Sequence, residues 1–275
     1  MTSHPTATPV ANARMYSATP QARADWKELL AWVLQHAGLA WPVIDYDPPA
    51  ALNPFWARDD LGMAMMCGLP FAKRPRPAQL IAAPVPSPAR YEGRAVYFTD
   101  IVVRADAPFA TLEDTFGHTV GYTLADSMSG GVAFRAHLAP YRARQGERRL
   151  FARAVGHLIH ARGVIEALQR GDIDVGPLDS YYHDLLRQGD PAFAAQVRTI
   201  ATTAPCPIPP LVATVPLDGQ TLEALRTALG AAIQAPALQV LRARLLLADF
   251  AFPPASDYAP LAAMAQQPVP VFEEL

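Results

Sequence analysis

The chain has 275 residues, 51% of them hydrophobic and 17% charged, with a formal net charge of −2. That length supports one large domain or two ordinary lobes with full cores, and the near-neutral charge excludes the electrostatic footprint of a nucleic-acid or acidic-membrane binder. Cys67 and Cys206 stand in no CxxC or metal-ligand spacing and read as two buried thiols or, as the other reading, one disulfide, and no apolar run approaches the roughly 20 residues of a membrane span.

Taken in order, residues 1–12 read as a flexible leader with neither the basic nor the apolar region of a secretory signal. A strand is expected over 13–17. Trp26, Leu29, Leu30, Val33, Leu34 and Ala37 then recur at helical spacing between Pro20 and Gly38, which predicts a helix. Strands over 43–46, 61–67 and 80–85 and a short helix over 49–57 continue the alternation, and 95–104 is a long strand-like run. A second series follows: strand 118–124, a helix from about 130, strand 150–155, helix 162–170, strand 173–175 leading into the turn Gly176-Pro177-Leu178-Asp179-Ser180, helix 181–186 and strand 197–202. The tail gives a strand over 211–215 and helices over 219–234, 236–247 and 257–265, which are expected to return to the first lobe. This alternation predicts an α/β fold of two lobes, each a mostly parallel sheet flanked by helices, joined by two crossings. The first lobe is placed at 13–101 plus 206–275 and the second at 102–205.

The chemistry concentrates at strand-to-helix junctions. Ser127-Met128-Ser129-Gly130-Gly131 puts two hydroxyls and two glycines where free helical amides and the helix dipole favour an anion; a serine there also serves as a plain helix cap. Asp179 or Ser180 before Tyr181 and Tyr182 has the same placement and the same two readings. His157 and His160 are read either as loop-end histidines or as ligand contacts. No GxxxxGK[ST], GxGxxG after the first strand, GxSxG or HExxH occurs, so nucleotide, nucleophile-elbow and metal readings lack support, and no cofactor is expected.

The run Tyr97 to Val103, then Leu112-Glu113-Asp114 and Gly117, then Ser127-Met128-Ser129-Gly130, resembles the phosphonate/phosphite/phosphate-binding proteins of ABC importers, which are type II periplasmic binding proteins. Met15-Tyr16, Cys67-Gly68-x-Pro70, Gly171-x-x-Asp174-Val175 and Asp179 extend the match. The resemblance implies a two-lobed binding protein that closes over a ligand by hinge motion, without catalysis, as a monomer. Ser127 to Gly130, Met128 included, would grip an oxyanion; Tyr16, Tyr97 and Thr99 would add hydroxyls; Asp179 would face the variable end of the ligand; and His160 matches a family histidine only approximately. The implied partners are a small anionic ligand and a membrane permease, and the implied compartment is the periplasm, although the chain shows no signal and a cytoplasmic relative is the other reading. Met128 stands where relatives commonly carry threonine, and Asp126 adds a negative charge. Two further readings remain: a sulfonated or heteroaromatic ligand against Met128 and the tyrosines, or a lyase-type enzyme using Asp126, Asp179 and His160.

Overall fold

Two five-stranded sheets, one in each of two units of the chain, carry the helices. The computed structural model describes residues 8–47 and 50–275. Unit 1 comprises Met1–Ala95 and Ile208–Asp257, and unit 2 comprises Val96–Pro207 and Tyr258–Leu275. The chain therefore passes between units three times, not twice, and residues 258–275 belong to unit 2 instead of the first lobe.

Unit 1 starts with β1 (Val10–Asn12) and a turn at Arg14–Tyr16, so the strand lies ahead of the expected 13–17 and within the segment read as leader, whose first seven residues lie outside the described ones. Helix α1 (Pro20–His36) matches its prediction: Thr19 accepts the Ala22 N–H at 3.1 Å, Pro20 needs no donor in the first turn, and Gly38 takes a left-handed φ of 71° after the end. Its stripe of Trp26, Leu29, Leu30, Val33 and Leu34 is buried, each side chain contributing about 1.5–3 kcal/mol. Next come α2 (Leu52–Trp56), β2 (Leu61–Met65), α3 (Gly68–Lys73) and β3 (Gln79–Pro86). The strand expected over 43–46 is reduced to one bridge, Val43 to Ala11.

Unit 2 takes over with β4 (Val96–Tyr97), β5 (Thr99–Arg104), β6 (Thr119–Gly121), α4 (Ala133–Arg144), β7 (Arg153–Val155) and α5 (Ala161–Arg170). It continues through β8 (Val175–Asp179), α6 (Ser180–Gly189), α7 (Pro191–Ala194), β9 (Val197–Thr202) and β10 (Cys206–Pro207). The chain returns to unit 1 for β11 (Leu211–Ala213), α8 (Gly219–Gln234), α9 (Gln239–Arg244) and β12 (Leu247–Ala251), then supplies α10 (Ala259–Ala265) to unit 2.

Both sheets are mixed. In unit 1 the order is β1-β2-β11-β3-β12, with β11 antiparallel to β2 and β3, and β12 antiparallel to β3. In unit 2 it is β7-β6-β8-β5-β9: β7, β6 and β8 run parallel, and β5 runs against β8 and β9. The inserted antiparallel members β5 and β11 are the strands reached straight after a passage between units, without a helical crossover to reverse the chain. Behind the unit 2 sheet lies a core of Ile101, Val103, Val120, Tyr122, Phe134, Leu138, Phe151 and Phe272. On β5 the buried Asp100 meets the buried His183 of α6 at 2.8 Å, tying that helix to the sheet.

Candidate functional site

Strands β7, β6 and β8 are neighbours and parallel, so their carboxyl ends share one edge of the unit 2 sheet, and each leads to a helix start there. All three starts are capped by a residue singled out in the sequence. Ser127 Oγ accepts the Gly130 N–H at 3.3 Å. His160 Nδ1 accepts the Gly163 N–H at 3.0 Å, which fixes its neutral tautomer with the proton on Nε2. Asp179 Oδ1 accepts the N–H groups of Tyr181 and Tyr182, both at 3.0 Å. Such caps satisfy amides that a helix start leaves without partners.

The first start is unusual. Met128–Val132 is a π-type turn in which Val132 N–H donates to Ser127 O and Ala133 N–H to Met128 O, before α4 settles into normal pitch. The wider spacing leaves the amides of Met128, Ser129, Gly130 and Gly131 without acceptors inside the turn, and Ser127 Oγ takes only that of Gly130. The Ser129 hydroxyl has no protein partner among the described residues, and both serines are part-exposed. Donors suited to an oxyanion therefore collect on one short segment.

The glycines of this turn act against their own chain. A Cβ on Gly130 would sit 1.8 Å from Thr123 Oγ1, and one on Gly131 would sit 2.4 Å from Leu124 O. Both positions let the turn close onto residues 123–125, where Thr123 N–H also donates to Gly130 O at 3.2 Å. Thr99 supports the turn from β5: its buried hydroxyl donates to Ser129 O at 2.8 Å. That hydroxyl, expected as a donor to a ligand, has its proton committed to the turn. Thr99 also faces Asp179 across the β5–β8 pairing, and Phe98 and Ser180 exchange hydrogen bonds (Phe98 N–H to Ser180 Oγ, Ser180 N–H to Phe98 O).

Thr99, Ser127–Gly130 and Asp179 are thus brought together, and His160 stands at the same edge beyond β6. Tyr97 lies one pleat before Thr99, buried where β4 pairs with β10. Tyr16 is buried in unit 1, in the turn after β1. Met128 is fully buried, whereas Asp126 is exposed. Tyr181 is fully buried as well, and burial pushes its hydroxyl far above the ordinary range. The predicted turn Gly176 to Asp179 is instead the body of β8, which carries Asp179 to its place.

Two features lay beyond the sequence reading. The 156–160 loop holds His157 and Ile159 at φ of 60° and 65°, and left-handed backbone costs a non-glycine residue about 1–2 kcal/mol. Only a local Gly156 hints at a sharp bend there. Tyr122 was the other: its hydroxyl donates to Glu273 at 2.6 Å, across 151 residues. That bond, with burial second, pushes the Tyr122 hydroxyl up to about 12, and the same bond holds the Glu273 carboxyl below its usual range.

Residues 16–258 match the family described as ABC transporter, phosphonate, periplasmic substrate-binding protein. No curated protein matches the chain. Among solved structures it is similar to a binding protein component of an ABC phosphonate transporter from Pseudomonas aeruginosa, with a TM-score of 0.74, 17% identity, and 97% of this chain and 92% of that one covered. PhnD1 from Prochlorococcus marinus, in complex with methylphosphonate, gives a TM-score of 0.71 at 14% identity, covering 94% and 97%. A Xanthomonas citri protein bound to chloride ion gives 0.68 at 20% identity, again covering 94% and 97%. At these identities the structural likenesses speak for the fold, a type II periplasmic-binding-protein architecture, and the match over 16–258 speaks for descent. The chain belongs to the phosphonate-binding family of periplasmic substrate-binding proteins of ABC transporters.

Proposed function

We propose that this solute-binding protein takes a small oxyanion of the phosphonate, phosphite or phosphate type at the Ser127–Gly130 turn, closes its two units over it, and delivers it to the permease of an ABC importer. The observation that carries the reading is the π-type turn itself: start amides and two serine hydroxyls on one segment, braced by Thr99, with the capped starts of α5 and α6 beside it. Binding of methylphosphonate by PhnD1 from Prochlorococcus marinus supports the ligand class. By the family resemblance, His160 and Asp179 would face the ligand's other groups from the starts of α5 and α6.

Met128 and Tyr181, two of the five side chains that a heteroaromatic ligand was expected to meet, are fully buried, which favours an oxyanion over such a ligand. Of the three groups that a lyase would draw on as acid or base, Asp179 and His160 cap helices and Asp126 is exposed. Calorimetric titration of phosphite, methylphosphonate and phosphate tests the site. Ser127→Ala and Ser129→Ala are each expected to weaken binding by about tenfold or more, the scale of a hydrogen bond to a charged group. Affinity unchanged in both variants sinks the assignment.

A further inference from the structure

Tyr122 has no place in the reading above, yet it lies between two of the three junctions. It follows β6 directly and precedes Thr123, the residue on which Gly130 closes. Its own N–H donates to Val155 O at 3.0 Å, and its carbonyl accepts from Leu158 N–H at 3.4 Å, so its backbone holds the loop that leads to His160. Its ring lies against the Gly156 backbone, where an added Cβ would meet the ring at 2.2 Å. The Phe272 ring stacks on Tyr122 at 4.5 Å and 11°.

The last residues of unit 2 complete this arrangement. Phe272 also meets Phe134 of α4 at 5.5 Å, Glu273 accepts the Tyr122 hydroxyl, and the Leu275 main-chain oxygen accepts from the N–H groups of Leu150 and Phe151 ahead of β7. Upstream in the same segment, α10 packs against the Met128–Val132 turn. One stretch of chain thus touches the turn directly and reaches the 156–160 loop through Tyr122.

We infer that Tyr122 is a positioning residue for ligand binding, setting the Ser127–Gly130 turn and the 156–160 loop in register with each other, and that residues 258–275 hold it there through Phe272 and Glu273. The inference rests on the oxyanion reading only for its effect on affinity; the positioning itself is independent of any ligand. Arg135 and His157 are the other charged or titratable groups acting on Glu273, and neither is hydrogen-bonded to it. Tyr122 and Glu273 therefore form a specific pair within that small group of charges.

The test uses the full chain with Tyr122→Phe, which keeps the stack and removes the hydroxyl, Glu273→Gln, which keeps an acceptor, and the double variant. Hydrogen exchange is read at Gly130, Val132 and Gly163, whose N–H groups bond within the two junctions. Faster exchange confined to these amides in Tyr122→Phe is expected. So is a loss of phosphite or methylphosphonate affinity of about tenfold, with the double variant no worse than Tyr122→Phe and Glu273→Gln milder than either. Unchanged exchange at all three amides, or faster exchange spread equally over the β5–β9 pairing, overturns the inference. If neither anion binds the unaltered protein, the ligand reading fails, and the exchange pattern alone decides the role of Tyr122.

Discussion

Gly130 illustrates how one residue answers to its neighbours before it answers to a ligand. Its missing Cβ is what lets Thr123 close on the turn, so Gly130→Ala is expected to lower stability by about 1–3 kcal/mol, the cost of overpacking, and to weaken anion binding with it. Urea denaturation and titration of the same variant check both. Thr99→Val keeps shape and removes the hydroxyl, leaving Ser129 O without its donor; a loss of about 1 kcal/mol in denaturation is expected. The serines of the turn were legible because residue type and spacing alone suffice to suggest a donor cluster. The direction of the Thr99 hydroxyl was not, because its acceptor, Ser129 O, lies 30 residues on in another element. Tyr122 was invisible for the same reason, its partner Glu273 being still more remote in sequence.

Among the elements, the caps give the sharpest expectation. Asp179 satisfies two amides of α6, so Asp179→Ala should cost about 1 kcal/mol in urea denaturation, while Asp179→Asn, retaining an acceptor, should cost little. If Asp179 also touches ligand, the asparagine variant separates the roles: near-normal stability with altered affinity. Helix α1 was readable from its apolar period and from Pro20 and Gly38 at its ends, and the spans of α5 and α8 were anticipated as well. Most of β8 and all of β12 were not. Gly176-Pro177 has the composition of a turn, yet β8 pairs with β6 only up to Val175, so Pro177 has a single neighbour, β5, and its missing donor is tolerated. Leu247–Ala251 continues an apolar run with no decisive period, and only its pairing with β3 makes it a strand.

For the molecule as a whole, the Tyr122–Glu273 pair shapes the dependence of stability on pH. Glu273 has a lowered folded pKa, so its contribution is present above the ordinary glutamate value of about 4.3 and is lost as pH falls through the lowered one. Tyr122 is raised from 10.0 to about 12, so its contribution is complete below 10 and lost as pH rises toward 12. Urea midpoints across pH should show both limbs, with Glu273→Gln removing its share of the acid limb and Tyr122→Phe its share of the alkaline one. Asp60, held low by Arg58, adds to the acid limb with the same sign. Closure of the two units on an oxyanion would appear as a smaller radius of gyration in solution scattering when phosphite is added; a radius unmoved at saturating ligand would speak against hinge motion.

The three passages of the chain between units also govern how the protein is made. β11 is flanked by β2 and β3, strands laid down more than a hundred residues earlier, and the Tyr122 ring waits for Phe272. Neither unit can be completed by a contiguous stretch of nascent chain, and closing loops of this length precedes the burial that rewards it, so folding should be slow and late. All four tryptophans, Trp26, Trp32, Trp41 and Trp56, fall in unit 1. Tryptophan fluorescence after dilution from urea will therefore time the arrival of β11 and β12, and pulsed exchange at Gly130 will time the arrival of residues 258–275, giving each unit its own clock within one refolding experiment.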